Sequence, residues 1–232
     1  MATEVKHTEQ QPVTKKTSEE RVVERTQQFW SKNSKFIVYA VTALVVLVGG
    51  WFAYDKYFRQ PNELKANESI WRAEQYFRID SFRLALNGDG ANAGFLRVIS
   101  RYGSTKAGNN AKFYAGVCYL HLGDFNNAVK QLKDFSTSEP LVNLKAHGAL
   151  GDAYSELGKN ADAIQEYRKA GTSFPDDEVN SPEFLFRAAA LSEKTGKTND
   201  AIELYKMIKD KYPLSQRGFE VDKYLAKLGV FE

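Results

Sequence analysis

The chain has little of what catalysis, metal binding or disulfide scaffolds require. Of its 232 residues one is cysteine, Cys118, and three are histidine, His7, His121 and His147. No internal disulfide can form, and no Cys/His ligand spacing for zinc can be assembled. Charge of one sign is also scarce: Lys+Arg 32 against Asp+Glu 29 leaves a net charge of +3, with no basic block. That excludes the electrostatic footprint of a nucleic-acid binder. A mean hydropathy of −0.48 excludes a polytopic transporter. What the chain does have is 43% apolar and 13% aromatic residues, enough for a core of ordinary globular size.

One stretch departs from this balance. Phe36 to Tyr54 carries no charge, and as a helix it spans about 28 Å, the thickness of a bilayer's hydrocarbon core. Trp30 on one side and Trp51, Tyr54 and Tyr57 on the other supply rings of the kind that settle at headgroup level. A buried core helix rarely runs five turns without a charge. A cleaved signal peptide has a shorter apolar region ending at small residues, whereas here Gly49-Gly50 is followed by Trp51-Phe52. The stretch therefore reads as an uncleaved signal anchor over 36–54. Six basic residues, Lys15, Lys16, Arg21, Arg25, Lys32 and Lys35, precede it closely, against Lys56, Arg59, Lys65 and Arg72 after it. This bias places residues 1–35 in the cytoplasm, as a polar flexible tail, and residues 55–232 across the membrane.

The remainder repeats. Gly116, Tyr119, Leu122-Gly123, Ala128, Leu132 and Pro140 recur 35 residues later as Gly151, Tyr154, Leu157-Gly158, Ala163, Tyr167 and Pro175. A third copy keeps Ala189, Gly196, Ala201, Tyr205 and Pro213, with Ser192 in place of the tyrosine and Thr195 in place of the leucine. Each copy reads as helix, turn, helix: small residues where two helices cross, glycine ending the first helix, proline stopping the second. Three copies occupy 109–213. Before them, 55–108 reads as a membrane-proximal helix and a degenerate hairpin, in which Ala91, Phe95, Val98 and Gly103 match a second helix and Trp71 to Leu86 fits a first helix poorly. Residues 214–232 read as a capping helix. The fold class is all-α, a single N-terminal transmembrane helix followed by a superhelical solenoid.

No constellation supports an enzyme. His121 and His147 fall on different faces of their repeats, Cys118 packs as a small apolar residue, and Asp176-Asp177-Glu178 reads as a solvated loop. Asn87-Gly88-Asp89-Gly90 is a turn by its chemistry, lacking the lysine and the preceding strand of a phosphate loop. No cofactor is implied.

The repeat resembles the tetratricopeptide repeat (TPR) family, whose signature W-x2-L-G-x2-Y, A-x3-F, P appears with its first aromatic weakened. In that family the concave surface is lined by first-helix positions 2, 5, 6, 9, 12 and 13. Carried over by register, these are Asn110, Phe113, Tyr114, Val117, Leu120 and His121 in the first copy. The second supplies Lys145, Gly148, Ala149, Asp152, Ser155 and Glu156, and the third Glu183, Phe186, Arg187, Ala190, Glu193 and Lys194. The family's carboxylate-clamp members hold a peptide terminus with Lys and Asn; Phe113 and Val117 stand in those places, which favours an apolar or extended segment. Phe113 and Tyr114 packing against the preceding hairpin is an equally open alternative.

The order of short tail, anchor, irregular hairpin and TPR solenoid is similar to the YfgM-like family of bacterial inner-membrane proteins. Ala85 to Gly90, Gly94-Phe95-Leu96 and Tyr102 to Asn109 look like its Bacteroidota version. The resemblance implies an ancillary subunit of the SecYEG translocon, its repeats in the periplasm beside a PpiD-like chaperone and emerging secretory chains. A scaffold for another cell-envelope assembly, and a cytosol-facing organellar import receptor, are the alternatives.

Overall fold

A computed structural model describes residues 17–231 of the chain, and every regular element among them is helical. They fall into two compact units that divide after Phe58.

The first unit is built on helix α1, Ser18–Tyr54. It contains no glycine or proline before Gly49, and its polar side chains return hydrogen bonds to its own backbone: Thr26 Oγ1 donates to the Val22 carbonyl (2.8 Å) and Asn33 Nδ2 to that of Phe29 (2.9 Å). Uninterrupted helix formers propagate the helix upstream of the apolar stretch. Residues 18–35 are thus helical where the sequence suggested a flexible tail, and residues 1–16 of that tail lie outside the described residues. No residue from Phe36 to Tyr54 is buried, so this is not the core helix of a globular unit; it is long and apolar enough to cross a membrane. A π-helical turn, Asp55–Arg59, follows it.

The second unit is a stack of helical hairpins. Its helices are α2 (Gln60–Arg78), α3 (Phe82–Asn87), α4 (Phe95–Tyr102), α5 (Lys106–His121) and α6 (Phe125–Lys133), then α7 (Pro140–Glu156), α8 (Asn160–Ser173), α9 (Asn180–Lys194), α10 (Thr198–Lys211) and α11 (Gln216–Lys227). The pairs α5/α6, α7/α8 and α9/α10 are the three repeats. Each first helix ends on a glycine with positive φ, +77° at Gly123, +69° at Gly158 and +76° at Gly196. The next amide then closes back on the helix: Asp124 N to Tyr119 O, Lys159 N to Tyr154 O, Lys197 N to Ser192 O, at 2.8–2.9 Å. The crossings are tight. A Cβ on Gly116 would lie 2.5 Å from Leu132 Cγ, and one on Gly151 2.5 Å from Tyr167 Cδ1; Ala128, Ala163 and Ala201 are fully buried.

The first hairpin is more complete than its sequence suggested. Ala73, Tyr76, Ile79, Phe82 and Ala85 stand 43 residues before Gly116, Tyr119, Leu122, Phe125 and Ala128. The closing turn also recurs, with Ser81 N donating to Tyr76 O (2.9 Å) and Asp80 at φ 57° in the glycine's place. So α2 is a first helix, and α3 is the start of a second helix that breaks after Asn87 and resumes as α4. The break is an inserted loop. Gly88, at φ 86°, bridges to Ala93, and the Asp89 carboxylate takes hydrogen bonds from Tyr76 Oη (2.6 Å) and Asn92 N (2.6 Å). The extra residues shift the offset from 35 to 43, which hid the match.

Proline placement differs at one repeat. Pro175 and Pro213 follow the ends of α8 and α10, but Pro140 opens α7, and α6 ends at Lys133. Asn109 draws the chain away there, its Nδ2 donating to Ser136 O (2.7 Å) while its Oδ1 accepts from Ser136 N (3.3 Å). At the far end α11 finishes as the other first helices do, with Gly229 at φ 80° and Val230 N donating to Leu225 O (2.9 Å).

Candidate partner-binding groove

The first helices of consecutive repeats lie side by side, and between them runs a groove of about 630 Å³. Phe113, Val117 and Leu120 of α5 form one wall; Lys145, Ala149, Asp152 and Glu156 of α7 form the floor; Phe184 and Arg187 of α9 form the other wall. His121 and Phe125 also line it. These residues converge because they recur on one face of each first helix, and consecutive first helices stack in register.

Nine of the eighteen concave-surface positions carried over by register line this groove: Phe113, Val117, Leu120, His121, Lys145, Ala149, Asp152, Glu156 and Arg187. Tyr114 and Phe186 do not. Tyr114 stacks on Phe95 with ring centroids 5.3 Å apart and meets Phe77 edge-on at 5.1 Å, so it fastens α5 to the first hairpin. One edge of it reaches only a neighbouring pocket of about 520 Å³ that also holds Phe77, Phe135 and Val142. Phe186 meets Tyr224 edge-on at 4.9 Å and carries the Arg217 guanidinium 3.9 Å above its ring. The helix α11 covers the position from which Phe113 faces the groove in the first repeat.

Two groove residues were not among the sequence candidates. Phe184 sits at a first-helix position that usually faces the neighbouring helix, and it turns into the groove because Gly148 leaves room. Phe125 belongs to the start of a second helix. The glycine at 148 was the one available signal for the former; no signal marked the latter.

Arg187 and Asp152, at the rim, are already engaged. Arg187 Nη1 donates to Asp152 Oδ1 (3.0 Å) and Nε to Glu183 Oε1 (3.1 Å), while its guanidinium lies 5.2 Å from the Phe184 ring centre. Tyr167 Oη donates to the same Asp152 oxygen (2.8 Å). Glu183 takes a second bond from Arg217 Nε (2.7 Å), which pairs with Glu220 through Nη1 (2.9 Å). Burial pushes the Glu183 carboxyl up, but Arg217 and Arg187 outweigh it and hold it below the usual value. Several of these pairs are spaced by one repeat: Asp152 with Arg187, Glu183 with Arg217, Arg168 with Glu203, Glu193 with Lys227. The charged residues thus tie neighbouring repeats together, and the apolar wall of α5 faces the open groove.

Other polar groups have partners within the stack. His121 stacks on Phe82 at 4.1 Å. His147 Nδ1 lies 2.6 Å from Glu166 Oε2, and Lys169 Nζ donates to Glu166 Oε1 (2.8 Å). Burial pushes the Cys118 thiol up to about 12, so it is not a thiolate nucleophile. Asp177 Oδ1 accepts from the amides of Val179 (2.9 Å) and Asn180 (2.8 Å), closing the turn before α9. Among the described residues no group of three His, Cys, Asp or Glu side chains could hold a metal ion.

Tetratricopeptide-repeat family profiles match residues 119–178 and 183–215. Comparison with curated proteins finds no match. Among solved structures, the chain is similar to the nearly identical TPR-like repeats of a kinesin light chain from Podosopora anserina: 14% identity, TM-score 0.53, covering 74% of this chain and 87% of that one. At that identity the likeness concerns the fold. Residues 119–178 and 183–215 thus carry tetratricopeptide repeats, and they lie in an all-α stack of helical hairpins.

Proposed function

We propose that the chain is a membrane-anchored TPR scaffold whose groove between α5, α7 and α9 captures an apolar segment of a partner protein. The observation that carries this reading is the pairing of two features: an apolar wall of Phe113, Val117 and Leu120 facing a groove whose arginine is engaged by Asp152 and Glu183. Aromatic and aliphatic anchors in such a pocket usually dominate binding, and Arg187, held by Asp152 and Glu183, is drawn away from reading a free carboxylate.

The anchor is α1, crossing the inner membrane of a bacterium over 36–54 with its N-terminus in the cytoplasm and the repeats in the periplasm. The YfgM-like resemblance supplies the partners: the SecYEG translocon, a PpiD-like periplasmic chaperone and secretory client chains. What supports it is the order of elements along the chain, including the irregular first hairpin.

The test is purification of native complexes in mild detergent from cells carrying the wild-type chain or Phe113→Ser with Leu120→Ser. Translocon and chaperone subunits are expected with the wild type, and the variant, matched to it by circular dichroism, should lose the chaperone or client while staying in the membrane. Arg187→Glu should retain them. Recovery of other envelope machinery in place of the translocon would replace the partner, and full capture by the apolar variant would move the binding site away from the groove.

A further inference from the structure

We infer that the outward face of α2 rests on the anionic headgroup surface of the bilayer, so that the first hairpin is a second membrane contact besides the anchor. Helix α2 turns Ala66, Ile70 and Ala73 into the core. At 100° per residue, Leu64, Trp71 and Ile79 project from the opposite side, and they are 67%, 54% and 68% exposed. Leu84, on the adjoining α3, is exposed as well. In a solenoid this face of a first helix is covered by the preceding repeat; α2 belongs to the first hairpin of the described stack.

The chemistry around these side chains selects lipid over another protein. Lys65, Arg72, Arg78 and Arg83 are exposed on or beside the same face, against Glu68 and Asp80, and the Arg72 guanidinium lies 5.1 Å from the Trp71 ring centre. A tryptophan and aliphatic side chains fringed by Lys and Arg form the composition of an interfacial helix, the rings and aliphatics reaching the headgroup boundary and the cations meeting lipid phosphates. Continuity along the chain brings the surface within reach. Only the five-residue turn Asp55–Arg59 separates α1 from α2, so Leu64 is ten residues beyond the last residue of the apolar stretch. The inference rests on α1 being a membrane span.

The experiment uses the full chain in nanodiscs, with Cys118→Ala and one reporter cysteine at a time, Glu68→Cys, Gln75→Cys or, as a distant control, Lys194→Cys, each carrying an environment-sensitive fluorophore. In discs of phosphatidylcholine with about 30 mol% phosphatidylglycerol, labels at 68 and 75 should be quenched by a headgroup nitroxide and shielded from aqueous iodide by about twofold or more relative to the control. Arg72→Glu with Arg78→Glu, or about 500 mM salt with the unaltered arginines, should return them to the control's iodide accessibility. Labels as open to iodide as the control, in chains that co-elute with lipid, would overturn the inference while leaving the anchor intact. Shielding from iodide without quenching by lipid would also overturn it, showing protein on that face. A chain that does not enter the discs would overturn the anchor and the inference together.

Discussion

The ring of Phe184 stands where a side chain on Gly148 would have to go: a Cβ built on that glycine lies 2.2 Å from Phe184 Cζ. The absence of one methyl group therefore shapes a wall of the groove. Gly148→Ala must displace the ring or part α7 from α9, and overpacking of this kind costs about 1–3 kcal/mol. Thermal melts should show the loss, and partner capture should weaken in parallel. An unchanged melting temperature would mean that Phe184 swings away without consequence and is not a fixed part of the groove.

The repeat register makes a matching prediction at the other end of the stack. Ala85, Ala128 and Ala163 are all fully buried at equivalent crossings, so Leu at any of the three should destabilise by about 1–3 kcal/mol. Ala85 is the informative site, since only the 43-residue offset places it at a crossing. Denaturant unfolding of Ala85→Leu beside Ala128→Leu compares them directly, and a change within about 0.5 kcal/mol at 85, typical of an exposed position, would contradict the assignment of α3 as the start of a second helix.

Asp80 ends α2 in a left-handed conformation, φ 57°, where the later repeats use glycine. A side chain there is strained, so Asp80→Gly should stabilise by about 0.5–1 kcal/mol. The reverse change, Gly123→Ala at φ +77°, should destabilise by about 1 kcal/mol or more. Urea midpoints at constant slope measure both.

Acid should loosen the α7/α8 repeat through Glu166. Burial pushes this carboxyl up, but hydrogen bonds from His147 and Lys169 outweigh burial and leave it below the ordinary 4.5. A group whose pKa is depressed by folding contributes stability above its unfolded value, and that contribution disappears as pH falls through the folded value. Wild type should therefore lose more stability between pH 7 and pH 3 than Glu166→Gln, while being the more stable of the two at pH 7. His147→Ala leaves a buried carboxylate short of a partner and should cost about 1–3 kcal/mol at neutral pH. Parallel pH dependence of wild type and Glu166→Gln would show that the pair contributes nothing to folding.

How much of this could be read without coordinates depended on how local the cause was. The charge-free stretch from Phe36 to Tyr54 and the three small-residue, glycine-ended repeats are written in runs of neighbouring residues, because hydrophobic length and helix-ending chemistry act over a few turns of one chain. The first repeat was legible only in part: Ala73, Tyr76 and Ala85 are as regular as their counterparts, but the loop around Asp89 moved them out of step.

Which face of a helix stays open is settled between helices. Tyr114 and Phe186 occupy concave-surface positions by register, yet one is taken by Phe95 and Phe77 and the other by Tyr224 and Arg217. Arg187 carries a charge in any reading of the sequence; that it is held by Asp152 one repeat back and Glu183 on its own helix depends on how far apart α7 and α9 pack. The sequence by itself determined an apolar N-terminal helix and a stack of helical hairpins, since these follow from periodicity and local backbone preference. The tertiary structure alone decided which aromatic side chains were spent on packing and which were left to line the groove, because their burial depends on neighbours 19 to 38 residues away.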